Sequence, residues 1–389
     1  MLAELAFWTA CFALGWVYLG YPLAVGVLGS LRPIRLRETG AAPTVTVALA
    51  VHDEAAQIRD RLANLLAQDP SGDRLVEVLV GSDGSTDATN ALVAAQALDD
   101  PRVRLLSLPR TGTTPTQQAM FEAATGDVVL LTDAETRFLP GCIAALAEVF
   151  RDERVGCATG RLQWFSEDAT ATSRNEGLYW RYERRIRALE SRAGCLTAGT
   201  GAILAVRRSS FRPVTATTGM DHLLPLFVLE QGQLVVFVPN AVASDRPISG
   251  LREQFRNRTR TATRGIAANL SMVRRLSPWR HPQAALGLWS HKILRWGTPW
   301  FAAVAVASAV VLALNGRVEF WIVPGAAVVA GAAALIAHAI SRTGRKPPRI
   351  IAFARAIAVV NAAFAVAWVN VLLGRRIEAW HRADWQASR

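Results

Sequence analysis

The chain alternates between two kinds of hydrophobic patterning. Residues from about Leu5 to Leu31 are almost uncharged and rich in aromatics. That length suits a transmembrane helix and exceeds the ~7–15-residue apolar core of a secretion signal. Three more apolar segments lie near 299–314, 319–340 and 350–373. The first two, separated by Asn315-Gly316-Arg317-Val318, read as a transmembrane hairpin. The third contains Arg355, Asn361 and Asn370, and either spans, re-enters or lies at the interface. Between the two ends, short β-rich runs alternate with helix-periodic ones. Thr44–Val51 is followed by Ile58, Leu62, Leu65 and Leu66 at helical spacing. The strand Val76–Val80, a helix from Ser85, a strand near Val103–Ser107, a helix around Gln117–Ala124 and the strand Val128–Leu131 complete the series. Strands alternating with helices imply βαβ units and an α/β fold with a mostly parallel, Rossmann-like sheet.

This patterning divides the chain into four parts: a membrane helix and basic flank over 1–38, a globular domain over 39–250, basic and amphipathic interfacial helices over 251–297, and a membrane region with a basic tail over 298–389. Charge gives them an orientation. Net charge is +12, from 43 basic and 31 acidic residues. Arg32, Arg35 and Arg37 follow the first span at once, which predicts that the globular domain faces the cytoplasm. The basic exit Arg342-Thr343-Gly344-Arg345-Lys346 places that flank on the same side. Arg252, Arg256, Arg258, Arg260 and Arg264 form a belt. It leads into Leu288, Trp289, Ile293, Leu294 and Trp296, interleaved with His291, Lys292 and Arg295, the pattern of a helix lying in a membrane interface. The basic excess therefore suits lipid headgroups and phosphorylated substrates, and no basic face independent of the membrane segments points to nucleic acid. The four cysteines form no CxxC pair and have no His partner at metal-ligand spacing.

The candidate chemistry sits where strands end. Val76–Val80 runs into Gly81-Ser82-Asp83-Gly84-Ser85-Thr86-Asp87, and Val128–Leu131 runs into Thr132-Asp133-Ala134-Glu135. Ligands of open α/β sheets bind beyond the carboxyl ends of strands. Carboxylates delivered there by two strands can hold a base, a sugar and a hard cation. Alternate residues of an extended segment point the same way, so Asp133 and Glu135 can reach one cation. Ser85 and Asp87 serve equally well as turn and cap residues. No GxGxxG follows the first strand, which argues against a dinucleotide-dependent oxidoreductase.

Thr46–Glu54, Gly81–Thr89 and Thr132–Glu135 resemble the nucleotide-binding motifs of family 2 glycosyltransferases with the GT-A fold. The resemblance extends through Phe138-Leu139-Pro140, Glu176–Glu183, Gly199–Ala202 and Ser290–Trp296, in the order seen in membrane-embedded enzymes similar to hyaluronan and cellulose synthases. It implies an inverting, metal-dependent transferase at the cytoplasmic face of the inner membrane. A nucleotide sugar, expected to be UDP-linked, would be the donor. A lipid-linked or polysaccharide acceptor, membrane lipids and polysaccharide export or assembly proteins would be its partners.

Carried over residue by residue, the resemblance gives Asp83 to the uracil N3–H and sets His52 and Glu54 beside base and ribose. Asp133 and Glu135 stand at the DxD position and would hold Mg²⁺ or Mn²⁺, with Asp133 also facing the donor diphosphate. Asp221, in Met220-Asp221-His222, matches the catalytic base. One of Arg256, Arg258 and Arg260 holds the diphosphate, and Arg258 is our assignment. Tyr179, Trp180 and Gly201 are assigned to the acceptor. Three departures stand out: Thr113 where relatives often carry Lys, Glu135 for Asp, and Met220 for an acidic residue. They motivate the alternative of a catalytically degenerate scaffold subunit in a polysaccharide-assembly complex.

Overall fold

A computed structural model of the chain describes residues 1–164, 171–214, 218–245 and 250–375, with side chains for these except 164 and 171–180. Its centre is an eight-stranded sheet. The strands are β1 (Val45–Val51), β2 (Leu75–Asp83), β3 (Val103–Leu108), β4 (Val128–Thr132), β5 (Arg137–Phe138), β6 (Val155–Trp164), β7 (Leu204–Arg207) and β8 (Leu234–Asp245). Their order across the sheet is β3-β2-β1-β4-β7-β6-β8-β5. The half from β3 to β4 is parallel throughout, as the alternating pattern predicts. The other half is mixed: β7 runs antiparallel to β4 and β6, β8 parallel to β6, and β5 antiparallel to β8.

β1 shows why the sheet is buried. Its residues are apolar at nearly every position, and parallel strands covered on both faces read as continuous apolar runs. Val45, Val47, Leu49 and Val51 enter a core with Ile58, Leu62 and Leu65 of α3 (Ile58–Leu66) and with Ile143 and Leu146 of α6 (Cys142–Val149). Ala48 enters the opposite core with Met120 and Phe121 of α5 (Thr113–Ala123), Leu223, Leu226 and Val228 of α8 (Met220–Glu230), and Ala268 of α9 (Leu251–Met272). Leu288 and Ile293 reach this second core as well. The basic helix and the segment after it thus dock on one face of the sheet. The helix α4 (Thr89–Asp99) covers the edge near β3.

Three helices are long and apolar enough to cross a membrane. One is the continuous helix Leu2–Leu31, formed by α1 (Leu2–Gly15), a π-turn at Trp16–Gly20 and α2 (Tyr21–Leu31). The others are Val318–Arg342, which includes α12 (Ile322–Arg342), and α13 (Arg349–Leu372). The segment near 350–373 therefore has the length and composition of a span. The first arm of the expected hairpin, α11 (Thr298–Leu314), packs against the helix that follows it and also forms a bent pair with the helix Pro282–Leu294, which comprises α10 (Pro282–Gly287) and a π-turn; this pair meets at 61°. A 17-residue helix spans about 25 Å, short for a bilayer core when it stands alone.

One buried polar cluster joins the N-terminal apolar helix and the bent helix pair to the sheet domain. In α7 (Ala171–Ala193), Glu190 accepts the Tyr21 hydroxyl and meets His291 Nδ1 at 2.7 Å; Glu183 accepts Arg295 Nη1 at 2.8 Å. Glu183, Glu190, His291 and Arg295 are 5%, 1%, 4% and 8% exposed, so these charges depend on one another rather than on water. Burial alone would raise the Glu183 carboxyl, but Arg295 and His291, then Arg187, hold it well below the usual carboxylate range.

Candidate active site

Strand register sets the site. Val51 pairs with Ser82 and Leu49 with Thr132, so β1, β2 and β4 end at the same level. Just beyond lies an open cleft lined by His52, Glu54, Asp83, Arg110, Thr113, Asp133 and Glu135 among others. The two acidic stretches and the first-strand motif therefore share one pocket, as the sequence expects.

Two loops are laced together at its rim. Asp53 sits at φ +53°, an uncommon conformation for a residue with a side chain. Its carboxylate accepts the Thr86 amide at 2.7 Å and the Asp87 amide at 3.3 Å, which holds it there. Asp87 in turn accepts the Thr89 amide and the Ala55 amide, and Thr89 Oγ1 accepts the Glu54 amide. Asp53 and Asp87 thus build the loop, whereas Glu54 and His52 face the cleft. His52 is fixed from behind by Nδ1 against the Asp83 carbonyl, at 2.9 Å.

Asp83 is buried and well supplied with donors. Oδ1 accepts the amides of Thr111 at 2.7 Å and Gly112 at 3.0 Å, and Oδ2 accepts Arg110 Nη1 at 2.7 Å. A base N–H reaching this carboxylate would join or displace Arg110, since a carboxylate has about four acceptor positions. Sequence reading passed over Arg110. Its signal is its place just past the end of β3, a parallel strand of the same sheet half. It brings a guanidinium to the cleft three residues before Thr113, where the expected lysine is missing.

Asp133 follows β4, and Arg61 supports that strand end from behind. Arg61 is fully buried, donates to Thr132 Oγ1 at 2.6 Å and Asn64 Oδ1 at 2.7 Å, and lies 4.6 Å over the Phe138 ring. Burial, followed by repulsion from Arg137, lowers its pKa to about 9. Thr132 Oγ1 also donates to the Ala202 carbonyl, tying the Asp133 strand end to the Gly201 turn. Burial, then repulsion from Asp245 and Asp221, raises the Asp133 carboxyl to about 6. Asp245 was not anticipated either; it ends β8, a signal available only once β8 is known to run parallel to β6.

Asp221 opens α8 in its first turn. A Cβ placed on Gly219 would fall 2.5 Å from Asp221 Oδ1, and one on Gly201 would lie 3.8 Å from Oδ2. A side chain at 219 would thus push the Asp221 carboxylate aside, and Gly201 faces the same carboxylate. Met220 packs in the core at 2% exposure, so its departure from an acidic residue serves packing. Of the three arginine alternatives, Arg260 interacts electrostatically with Asp221, Asp133 and Glu135. Arg264, from the same helix, donates to Thr114 Oγ1 at 3.2 Å. The side chains of Tyr179 and Trp180 lie outside the described residues.

Residues 46–214 match the sequence profile described as Glycosyl transferase family 2. An N-acetylglucosaminyltransferase of Mesorhizobium japonicum is 31% identical over 219 residues, 52% of this chain and 51% of that protein. One from Rhizobium meliloti is 29% identical over 262 residues, 62% of this chain and 61% of that protein. The chain thus spans about half the length of the first of these curated relatives. A mannosyltransferase from Pyrobaculum calidifontis, solved with GDP-Man and Mn²⁺, superposes with a TM-score of 0.69 at 22% identity; the match covers 96% of this chain and 99% of that one. That likeness extends the shared fold to nearly every element described above. Sequence profile, strand register and superposition agree on a GT-A-type fold in which residues 46–214 are similar to family 2 glycosyltransferases.

Proposed function

We propose that the protein transfers a sugar, with inversion, from a nucleotide-sugar donor to a lipid-linked or polysaccharide acceptor at the cytoplasmic face of the inner membrane. The observation that supports it most is the charge assembly at Asp133. Burial, then Asp245 and Asp221, raise this carboxyl to about 6, so a bound cation would favour its ionised form. The donors fit a hard metal ion: Asp133 and Glu135 offer carboxylate oxygens. Among the described residues no three His, Cys, Asp or Glu side chains converge as a complete metal site. One or two carboxylates completed by phosphate oxygens and water is the usual arrangement for Mg²⁺. When bound, the cation would offset the charge that builds on the departing nucleoside diphosphate.

The chain's own residues would do the rest. Asp83 accepts a base N–H, which uracil and guanine both offer, so its role agrees with either donor base. His52 and Glu54 border base and ribose, and Arg260 rather than Arg258 donates to the diphosphate. Asp221, whose carboxylate Gly201 faces, takes the proton of the attacking acceptor hydroxyl. The relatives' names favour an N-acetylglucosaminyl donor and the structural neighbour a mannosyl one. A panel of UDP- and GDP-sugars, assayed for Mn²⁺-dependent release of nucleoside diphosphate, tests the reading. Release from one donor supports it. No binding of any donor with Mn²⁺ present favours the scaffold reading instead.

A further inference from the structure

Away from the donor cleft, a second, small and solvent-open pocket lies between α7 and the strands β6 and β8. Arg161, Arg184, Arg187, Glu183, Thr200 and Phe237 contribute to its lining. Among the described residues, three guanidinium groups therefore face one carboxylate. That carboxylate is already engaged: Glu183 accepts Arg295 at 2.8 Å and lies 3.5 Å from both His291 and Arg187. Arg187 spends one N–H on Thr200 Oγ1 at 2.7 Å. Arg161 has a buried Nε with no hydrogen-bond partner among the described residues. A buried donor left without a partner is costly, so its retention points to a ligand that completes it.

The position of the cavity is as telling as its charge. Thr200 precedes Gly201, which faces the Asp221 carboxylate. The opposite wall belongs to α7, whose Glu183 and Glu190 bind the interfacial residues Arg295 and His291 and the membrane-helix residue Tyr21. The cavity thus lies between the proposed catalytic base and the membrane-proximal helices.

We propose that this arginine-lined cavity binds a phosphate group carried by the acceptor, anchoring it while its hydroxyl is presented to Asp221. The inference rests on the proposed transferase reading for what is anchored. The binding itself does not depend on it. Guanidinium forks match phosphate oxygens with two parallel hydrogen bonds each, and a tetrahedral oxyanion can take donors from three directions. Neither the donor cleft nor the cation has a part in this contact.

The test uses full-length protein in nanodiscs of neutral lipid, without divalent cation, and two probes: inorganic phosphate and farnesyl phosphate. Binding is read by calorimetry for wild type, Arg161→Gln, Arg184→Gln and the charge-keeping Arg184→Lys. We expect both Gln variants to weaken probe binding by roughly tenfold or more, the worth of one charged hydrogen bond, and Arg184→Lys to lose less. Mn²⁺-dependent binding of nucleoside diphosphate, measured on the same samples, should stay at the wild-type level and shows that the variants are folded. Farnesyl phosphate binding well above inorganic phosphate identifies a lipid-borne group. Equal binding identifies a phosphate on a soluble acceptor. The proposal is overturned if wild type binds neither probe, or if both Gln variants bind them like wild type. Failure of donor turnover with probe binding intact would sink the transferase reading and leave the anion site standing.

Discussion

Replacing Glu183 by Gln should unfold the joint between sheet domain and membrane helices at a markedly lower temperature. Gln keeps the shape of Glu183 and can still accept from Arg295, but it removes the charge that compensates Arg295 and lies 3.5 Å from Arg187. Both Glu183 and Arg295 are less than a tenth exposed. Breaking one side of a buried ion pair costs about 3–5 kcal/mol. For a domain of this size that corresponds to a fall of roughly 6–20 °C in Tm. Tryptophan fluorescence during heating in nanodiscs would read it, because Trp296 belongs to the docked segment. The double variant Glu183→Leu with Arg295→Met should recover much of the loss, since apolar replacements of both partners are often neutral. The pH dependence has a definite sign. The Glu183 carboxyl is depressed in the fold, so its contribution is present above its ordinary value near 4.3 and is lost as pH falls below that. Glu183→Gln should therefore flatten the acid loss of stability below about pH 4. A Tm within a degree or two of wild type at pH 7 would refute the idea that this cluster fastens the two regions.

Three further outcomes follow from the site and its supports. Asp133→Asn should abolish transfer yet raise the Tm of metal-free protein: a carboxyl moved from 3.8 to about 6, by burial first and then by Asp245 and Asp221, carries a penalty of about 3 kcal/mol above that pH. The gain should vanish below about pH 4, where wild-type Asp133 is protonated in both states; a gain that persists in acid would contradict the cause given. Arg260→Gln should raise the donor KM by roughly tenfold, whereas a comparable rise in Arg258→Gln alone would return the role to the residue chosen from sequence. Gly287→Ala should be strongly destabilising, because its Cβ would fall 2.1 Å from the Cys195 carbonyl oxygen, while Gly331→Ala, with open space around it, should leave Tm unchanged or higher.

What could be read from the chain was set by local pattern. The strand ends Asp83 and Asp133 were legible because apolar runs stop there, and the register of three adjacent parallel strands carries both into one cleft. Arg110 and Asp245 were not, because each matters only through neighbours brought up by the sheet: Asp83 in one case, Asp133 in the other. The choice among Arg256, Arg258 and Arg260 needed the phase of α9 against the sheet, which spacing alone does not supply. The same holds for α11. Its composition marks one arm of a hairpin with the next helix, whereas its 61° bend to the preceding helix comes from packing and carries no local signal. The mixed half of the sheet also escaped, since β5 and β7 are two and four residues long and carry no alternation to recognise.

The account turns on Asp221 acting on the acceptor and on Asp133 acting on the donor. The direct measurement is donor binding with Mn²⁺, by calorimetry, alongside sugar transfer, in Asp221→Asn and Asp133→Ala. The account predicts that Asp221→Asn binds donor like wild type but transfers at least about a hundredfold more slowly, the scale of a lost general base, and that Asp133→Ala loses Mn²⁺-dependent binding. Transfer by Asp221→Asn at the wild-type rate, or Mn²⁺-dependent binding unchanged in Asp133→Ala, would contradict it.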